Sequence, residues 1–92
     1  MPKKIIRSFK IINQKGLHAR ASAKFVETVE IYDASAEIRK DGLNTCGDSI
    51  MGLLMLAASQ GTSIDVEIEG VQSLELADAL EELISNRFGE DH

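Results

Sequence analysis

Cysteines and export signals are nearly absent from this sequence. Cys46 is its only cysteine, so no internal disulfide can form, and no charged-then-apolar leader opens the chain. We therefore expect a cytoplasmic protein that is stabilised by packing, because disulfide-stapled domains belong to oxidising compartments. Cys46 itself is expected to be a small buried hydrophobe, as most free cysteines are.

Long hydrophobic runs and excess positive charge are also missing. The longest apolar-rich stretch, residues 50–58, contains Gly52 and is far shorter than the roughly 20 residues that a membrane-crossing helix needs. Acidic side chains outnumber basic ones by 15 to 10, for a net charge of -5, and such a chain repels a phosphate backbone. We therefore expect neither membrane nor nucleic acid as a partner.

The length and apolar content fit one folded unit. A chain of 92 residues is enough for a single domain, which we place at 1–92. Apolar residues make up 43% of the chain and are spread along its length. A single modest core can therefore form.

Hydrophobic periodicity predicts the helices and strands. Alternating and β-branched residues indicate strands, and apolar residues at helical spacing indicate helices. In chain order the predictions are a strand from Ile5 that ends before Asn13, a helix from Ala19 to Glu30, strands from Ala34 to Lys40 and Leu43 to Cys46, a helix from Ile50 to about Ala58, a strand from Ile64 to Glu69, and a helix capped by Ser73. The tail from Gly89 to His92 is expected to be frayed.

The order β-α-β-β-α-β-α predicts an α+β fold. The hairpin signal Asp41-Gly42 and the helical crossovers suggest a four-stranded sheet with three helices on one face. Half-buried alternation in the strands favours antiparallel pairing.

The segment Gly16-Leu17-His18-Ala19-Arg20 places an imidazole and a guanidinium at the start of the first predicted helix. A neutral imidazole keeps a nitrogen lone pair at physiological pH, so His18 can attack phosphorus without an auxiliary base. A phosphoryl group there would lie beside the unpaired N–H groups of the first helical turn, and Arg20 can add a charge-assisted hydrogen bond. From the residues alone, the alternative stays open that His18 merely caps the helix or packs at a turn.

The same five residues resemble the phosphorylation-site motif of the histidine-containing phosphocarrier (HPr) family of the bacterial phosphotransferase system. A second block, Ser49-Ile50-Met51-Gly52-Leu53, resembles the regulatory-serine segment of that family and stands at the expected separation. The resemblance extends from about Lys3 to Arg87. It implies the open-faced β-sandwich fold of the family and a carrier that is not an enzyme and needs no cofactor.

The resemblance also implies partners and residue roles. Enzyme I would phosphorylate His18 on its pros nitrogen, Nδ1, and the phosphoryl group would pass to A-type domains of enzyme II or to regulatory acceptors. Arg20 would neutralise the phosphoryl group, and the backbone of Ala19 and Arg20 would bind it. We expect the carrier to be a monomer.

Two departures from the family pattern accompany the resemblance. Many relatives have proline directly after the motif arginine, where this chain has Ala21. Proline is favourable but dispensable in a first helical turn, and alanine is the best helix former, so we expect slightly altered entry geometry and retained function. Asp48 stands where relatives often have a basic or polar residue, which bears on recognition of Ser49 by a kinase.

Ser49 has two compatible interpretations. A serine before a helix is a favourable N-cap, a role that contributes about 1 kcal/mol. The resemblance adds that a serine kinase, with a matching phosphorylase, could act on Ser49 in a host that possesses one. A phosphate there would add negative charge beside a docking surface and weaken acidic partners.

The second predicted helix is apolar nearly all the way round. One side of a helix on a small sheet must meet solvent, and an exposed apolar patch usually marks a partner site. By resemblance Ile50, Met51 and Leu54 are the expected docking residues, to which we add Lys24 from the basic first quarter of the chain. Plain core packing is the alternative for each apolar member.

Two further functional classes remain open. In one, the protein is a regulatory binding module of the nitrogen-related branch of the phosphotransferase system, and its phosphorylation state controls partners rather than sugar uptake. In the other it is a metal-binding domain. We expect no metal, because His18, Cys46 and His92 lack the ligand spacing of zinc sites.

Overall fold

The computed structural model describes residues 3–92. Its elements, in chain order, are β1 (Lys3–Lys10), α1 (Ala19–Ile31), β2 (Ser35–Lys40), β3 (Leu43–Cys46), α2 (Ile50–Met55), β4 (Ser63–Gly70), α3 (Ser73–Ser85) and a short 3-10 turn at Arg87–Gly89. The predicted βαββαβα order is confirmed.

The strands form a single antiparallel sheet in the order β1-β4-β2-β3. The alternation that predicted β4 is visible in its burial, because Ile64, Val66 and Ile68 are buried while Asp65 and Glu69 are exposed. One face of the sheet thus lies on the core and the other faces solvent, as is usual for antiparallel sheets. The predicted α+β class is confirmed.

The helices cover the buried face of the sheet. α1 buries Phe25, Val26 and Val29, which follow the helical spacing seen in the sequence. α3 packs against β1 and β4, and α1 packs against both α2 and α3. No helix within residues 3–92 is long and apolar enough to cross a membrane.

α2 is shorter than predicted, because it ends at Met55 and not near Ala58. The Leu56 N–H bonds to Leu53 O in a tighter turn, and Ala57 then adopts a left-handed φ of 52°. The chain leaves the helix there and still buries Leu56 and Ala58. Apolar content predicted the burial correctly, but it carried no signal for the end of the helix.

Two local predictions are wrong. The N-cap of α3 is Gln72, while Ser73 lies inside the first turn with its hydroxyl buried and without a hydrogen-bond partner among the described residues. Cys46 is exposed and not buried. It lies opposite Glu37 on β3, which is an edge strand of the sheet that the described residues form.

We predict that Gly16→Ala destabilises the protein more than Gly42→Ala does. Both glycines have positive φ, 64° and 82°, so both substitutions carry similar backbone strain. A Cβ at Gly16 would lie 2.4 Å from Ala58 O, whereas nothing lies within 4 Å of one at Gly42. The additional overpacking costs about 1–3 kcal/mol, which urea unfolding followed by circular dichroism will measure. Equal losses in the two variants would contradict the crowding at Gly16.

Candidate functional site

The loop before α1 is held in place on both sides of His18. The left-handed backbone of Gly16 lets the loop approach Ala58, whose carbonyl accepts a hydrogen bond from Leu17 N at 2.9 Å. Leu17 is buried, and its own carbonyl accepts from Ser22 Oγ at 3.1 Å. The backbone that carries His18 is therefore rigidly positioned.

His18 occupies the N-cap position of α1. Its backbone is extended, and its carbonyl accepts the first helical hydrogen bond from Ser22 N at 2.8 Å. The helix has no side-chain cap, so the imidazole is not used to satisfy the first-turn N–H groups. Those groups, which have no partner within the helix, stay open to an anion. The side chain is 27% exposed, so a second protein can reach it.

The C-terminal tail lies against the acceptor loop. Glu90 Oε2 forms a hydrogen bond with His18 Nε2, and Glu90 Oε1 accepts from Asn13 Nδ2 at 2.9 Å. Gln14 N donates to His92 O at 2.9 Å. The expectation of a frayed tail is therefore wrong.

A buried anchor explains why the tail is ordered. Phe88 is fully buried, and its carbonyl accepts from Lys24 Nζ at 2.6 Å. The chain turns there with positive φ at Arg87 and Phe88, a strained conformation that persists only where surrounding contacts enforce it. The turn directs Glu90 back toward His18.

The charge of Glu90 is stabilised where it lies. Burial raises the pKa of this carboxyl, but hydrogen bonds from Asn13 and His18 lower it, as do the charges of protonated His18 and of Lys15. The lowering effects outweigh burial, so the net pKa of Glu90 is below its ordinary value. A carboxylate therefore faces the imidazole at neutral pH, and its side chain is only 13% exposed.

Basic side chains line a groove beside the acceptor. Lys15, Arg20 and Lys24 border a cavity of about 290 Å³ that Glu90 also lines. Arg20 is exposed, and within residues 3–92 its guanidinium takes part in no hydrogen bond or ion pair. Lys24 differs, because its ammonium group is bound to the Phe88 carbonyl. Of the predicted basic residues, Arg20 is thus available for an anion and Lys24 is engaged within the fold.

α2 presents part of its apolar surface next to His18. Ile50 and Met51 are 40% and 69% exposed, whereas Leu53 faces the core. Leu54 is half-buried and lines a shallow groove together with Leu17 and His18. Of the predicted docking residues on α2, Leu54 thus adjoins the acceptor, and Ile50 and Met51 are exposed on the same helix.

Ser49 caps α2. Its Oγ accepts a hydrogen bond from Gly52 N at 3.0 Å, which confirms the predicted N-cap. Gly52 packs so closely on Thr45 that a Cβ would lie 1.7 Å from Thr45 Oγ1.

The described part of the chain holds no group of three or more histidine, cysteine or acidic side chains that could bind a metal ion.

Sequence reasoning did not find Glu90 or Asn13. The sequence marks Asn13 only as the position before which the first predicted strand ends, and Glu90 lies in a short polar segment that carries no periodic signal. Glu90 is far in sequence from both of its partners, 72 residues from His18 and 77 residues from Asn13. Only the path of the folded chain brings the carboxylate to the ring.

Comparison with known proteins identifies the family. The sequence model "PTS HPr component phosphorylation site" matches residues 5–86. The phosphocarrier protein HPr of Neisseria meningitidis serogroup A is 45% identical over 84 residues, which cover 91% of this chain and 94% of the relative. The chain therefore belongs to the HPr family of phosphocarriers of the phosphotransferase system. Members of this family carry a phosphoryl group and are not catalysts.

Solved structures agree with the fold. A crystal structure of HPr-C-His from Thermoanaerobacter tengcongensis matches with a TM-score of 0.88 and 36% identity, covering 98% of this chain and 99% of that one. A structure described as an HPr dimer from the same organism matches with a TM-score of 0.75 and 38% identity, over 89% of this chain and 94% of that one. The open-faced sandwich expected from the resemblance is confirmed.

We predict that Glu90 makes the stability of the protein depend on pH. Because the folded-state pKa is lowered, the carboxylate stabilises the native state above the ordinary glutamate pKa, and this contribution is lost as the pH falls through the folded value. The difference in unfolding free energy between wild type and Glu90→Gln should therefore shrink on acidification from about pH 5. Urea titrations at a series of pH values measure it.

Asp91→Asn is the matched control for that titration, because Asp91 is the exposed carboxylate next in the chain. This variant should keep the acid-dependent loss shown by the wild type. If Glu90→Gln keeps it as well, the carboxylate of Glu90 is not responsible.

Proposed function

We propose that His18 accepts a phosphoryl group from phospho-enzyme I and passes it to A-type domains of enzyme II or to regulatory acceptors, in the cytoplasm and as a monomer. The observation that carries the proposal is the place of the imidazole, partly exposed at the uncapped N-terminus of α1. The match of the chain to a phosphocarrier family supports the same chemistry.

The transfer step uses groups that the site already holds. The Nδ1 lone pair of His18 attacks phosphorus, the bond between phosphorus and the donor breaks, and its electron pair leaves with the donor. The first-turn amides of Ala19 and Arg20 and the guanidinium of Arg20 then face the new dianion. A helix N-terminus contributes about 0.3–1 kcal/mol at an exposed site, and a hydrogen bond to a charged group about 1.5–3 kcal/mol.

Such modest stabilisation suits a carrier. A site that bound the phosphoryl group tightly would retain it, whereas a partly exposed ring with an exposed arginine nearby can release it to the next protein. Arg20 is exposed and unpaired among the described residues, so it can follow the phosphoryl group during both transfers.

We predict that enzyme I and phosphoenolpyruvate place an acid-labile label on this protein and that His18→Ala abolishes it. His92→Ala is the control, because His92 is the other histidine of the chain and lies exposed near the site. It should be labelled to the wild-type extent. Label that survives His18→Ala would move the acceptor to another residue.

Arg20→Ala should retain the label but slow its transfer by about tenfold or more, since a charge-assisted hydrogen bond is lost.

We further propose that the exposed part of α2 is the partner contact. Its side chains Ile50 and Met51 are exposed, and Leu54 of the same helix lines a groove together with His18. Methionine suits a surface that receives several partners, because its flexible thioether repacks readily. Lys24, the basic residue predicted for the same contact, donates to the Phe88 carbonyl, so the apolar side chains of α2 carry this proposal.

We predict that Met51→Ala raises the KM for this protein in the enzyme I reaction several-fold without changing its stability. The side chain is 69% exposed, so the folded protein loses little packing. Ile31→Ala is the control, because Ile31 is similarly exposed, at 72%, but lies at the far end of α1. Equal effects of the two substitutions would exclude a specific role for α2.

We also propose that Ser49 is a regulatory phosphorylation site in hosts that have the kinase. Its hydroxyl lies at the start of α2 beside Ile50, so a phosphate would add negative charge to the docking surface.

Transfer assays with sugar-specific and nitrogen-related acceptors distinguish a role of this protein in sugar uptake from a purely regulatory one.

A further inference from the structure

The acceptor imidazole is contacted by a carboxylate on the nitrogen opposite the proposed phosphorylation position. Glu90 Oε2 contacts His18 Nε2. Glu90 lies beyond residues 5–86, which the family's sequence model matches. The contact therefore belongs to the tail of this chain and not to the matched motif.

An ionised carboxylate can only accept hydrogen bonds. The nitrogen that faces Glu90 must therefore carry the proton, and in a neutral imidazole the other nitrogen then keeps its lone pair. A hydrogen bond at one ring nitrogen fixes the tautomer and the orientation of the ring in the same way in many metal sites.

We infer that Glu90 is a positioning residue that holds His18 in the Nε2–H tautomer and so presents Nδ1 as the nucleophile. This inference rests on the proposed phosphoryl transfer for its functional meaning, but the tautomer itself is a property of the unphosphorylated protein. After transfer, the ring keeps its Nε2 proton and gains a positive charge. The carboxylate of Glu90 then faces that charge.

Asn13 orients the carboxylate. Its Nδ2 donates to Gly16 O and to Glu90 Oε1, each at 2.9 Å. Both partners are acceptors, so the amide nitrogen must point toward them, and Asn13 Oδ1 is left buried without a partner among the described residues. This arrangement leaves Glu90 Oε2 as the oxygen that faces the ring.

The same geometry makes Glu90→Gln a sharp test. Asn13 would still donate to the side-chain oxygen of the new residue, so its NH₂ group would face His18 Nε2. An NH₂ group donates, and the ring would then accept at Nε2 and carry its proton on Nδ1. The variant therefore blocks the nucleophile while it keeps the size of the side chain and the bond to Asn13.

The first measurement is the imidazole tautomer by long-range ¹H–¹⁵N correlation spectra at about pH 8, which is above the ordinary imidazole range of about 6.5. Wild type and Asp91→Asn should show Nε2–H, and Glu90→Gln should show a majority of Nδ1–H. Glu90→Ala should show a larger share of Nδ1–H than wild type. A wild-type ring with its proton on Nδ1, or no change in both Glu90 variants, overturns the inference.

The second measurement is the rate at which phosphoramidate, a small phosphoryl donor, phosphorylates His18 without enzyme I. Glu90→Gln should react about tenfold more slowly than wild type, and more slowly than Glu90→Ala, because a hydrogen bond now holds the proton on Nδ1. A merely structural role of Glu90 predicts the reverse order, since alanine loses the bond to Asn13 as well. Protection of the Gln14 amide from hydrogen exchange reports whether the tail stays in place.

These outcomes separate the inference from the proposed function. A wild-type Nε2–H tautomer with no label from enzyme I would contradict the carrier role and leave the positioning role supported. Labelling of His18 with an Nδ1–H tautomer in the wild type would do the opposite.

Discussion

The buried amide of Asn13 joins the two segments that make the site. One of its hydrogen bonds closes the turn at Gly16, and the other holds the carboxylate of Glu90. The bond to Gly16 fixes the path of the backbone into α1. The bond to Glu90 fixes the carboxylate that lies against Nε2 of the His18 ring. Asn13 is fully buried, so its amide N–H groups would be costly to leave without these acceptors.

The electrostatics of the site are divided between the two sides of the imidazole. The uncapped end of α1 provides positive potential on the side proposed to receive phosphate, and Arg20 borders the groove that Glu90 also lines. The carboxylate of Glu90 provides negative charge on the other side. In the proposed phosphorylated state, the dianionic phosphoryl group would lie beside the positive potential and the cationic ring beside the Glu90 carboxylate. Each contribution is small, which agrees with a group that must be passed on.

Exposed apolar surface and the reactive ring lie next to each other for a structural reason. α2 is a short helix that packs against α1 and β3, so it can bury Leu53 while Met51 and Met55 remain exposed. The carbonyl of Ala58, just after α2, also holds the loop before His18. The same segment thus supports the acceptor loop and presents the apolar surface beside it.

Much of this protein was determined by the sequence itself. Periodicity in β4, α1 and α3 is strong because each element buries one face, and the hairpin at Asp41-Gly42 depends only on local backbone preferences. The position of His18 at the start of α1 likewise follows from the residues next to it in the chain, and so does the N-cap of α2 at Ser49.

Tertiary structure decided the features that depend on residues distant in the chain. The exposure of Cys46 depends on which strand forms the edge of the sheet. The early end of α2 leads into a left-handed turn at Ala57, after which Ala58 O accepts a hydrogen bond from the distant Leu17 N. The contact of Glu90 with His18 depends on the burial of Phe88, which returns the tail to the acceptor loop. Local patterns report which face of an element is buried, but a contact between two polar residues 72 positions apart leaves no periodic trace in the sequence.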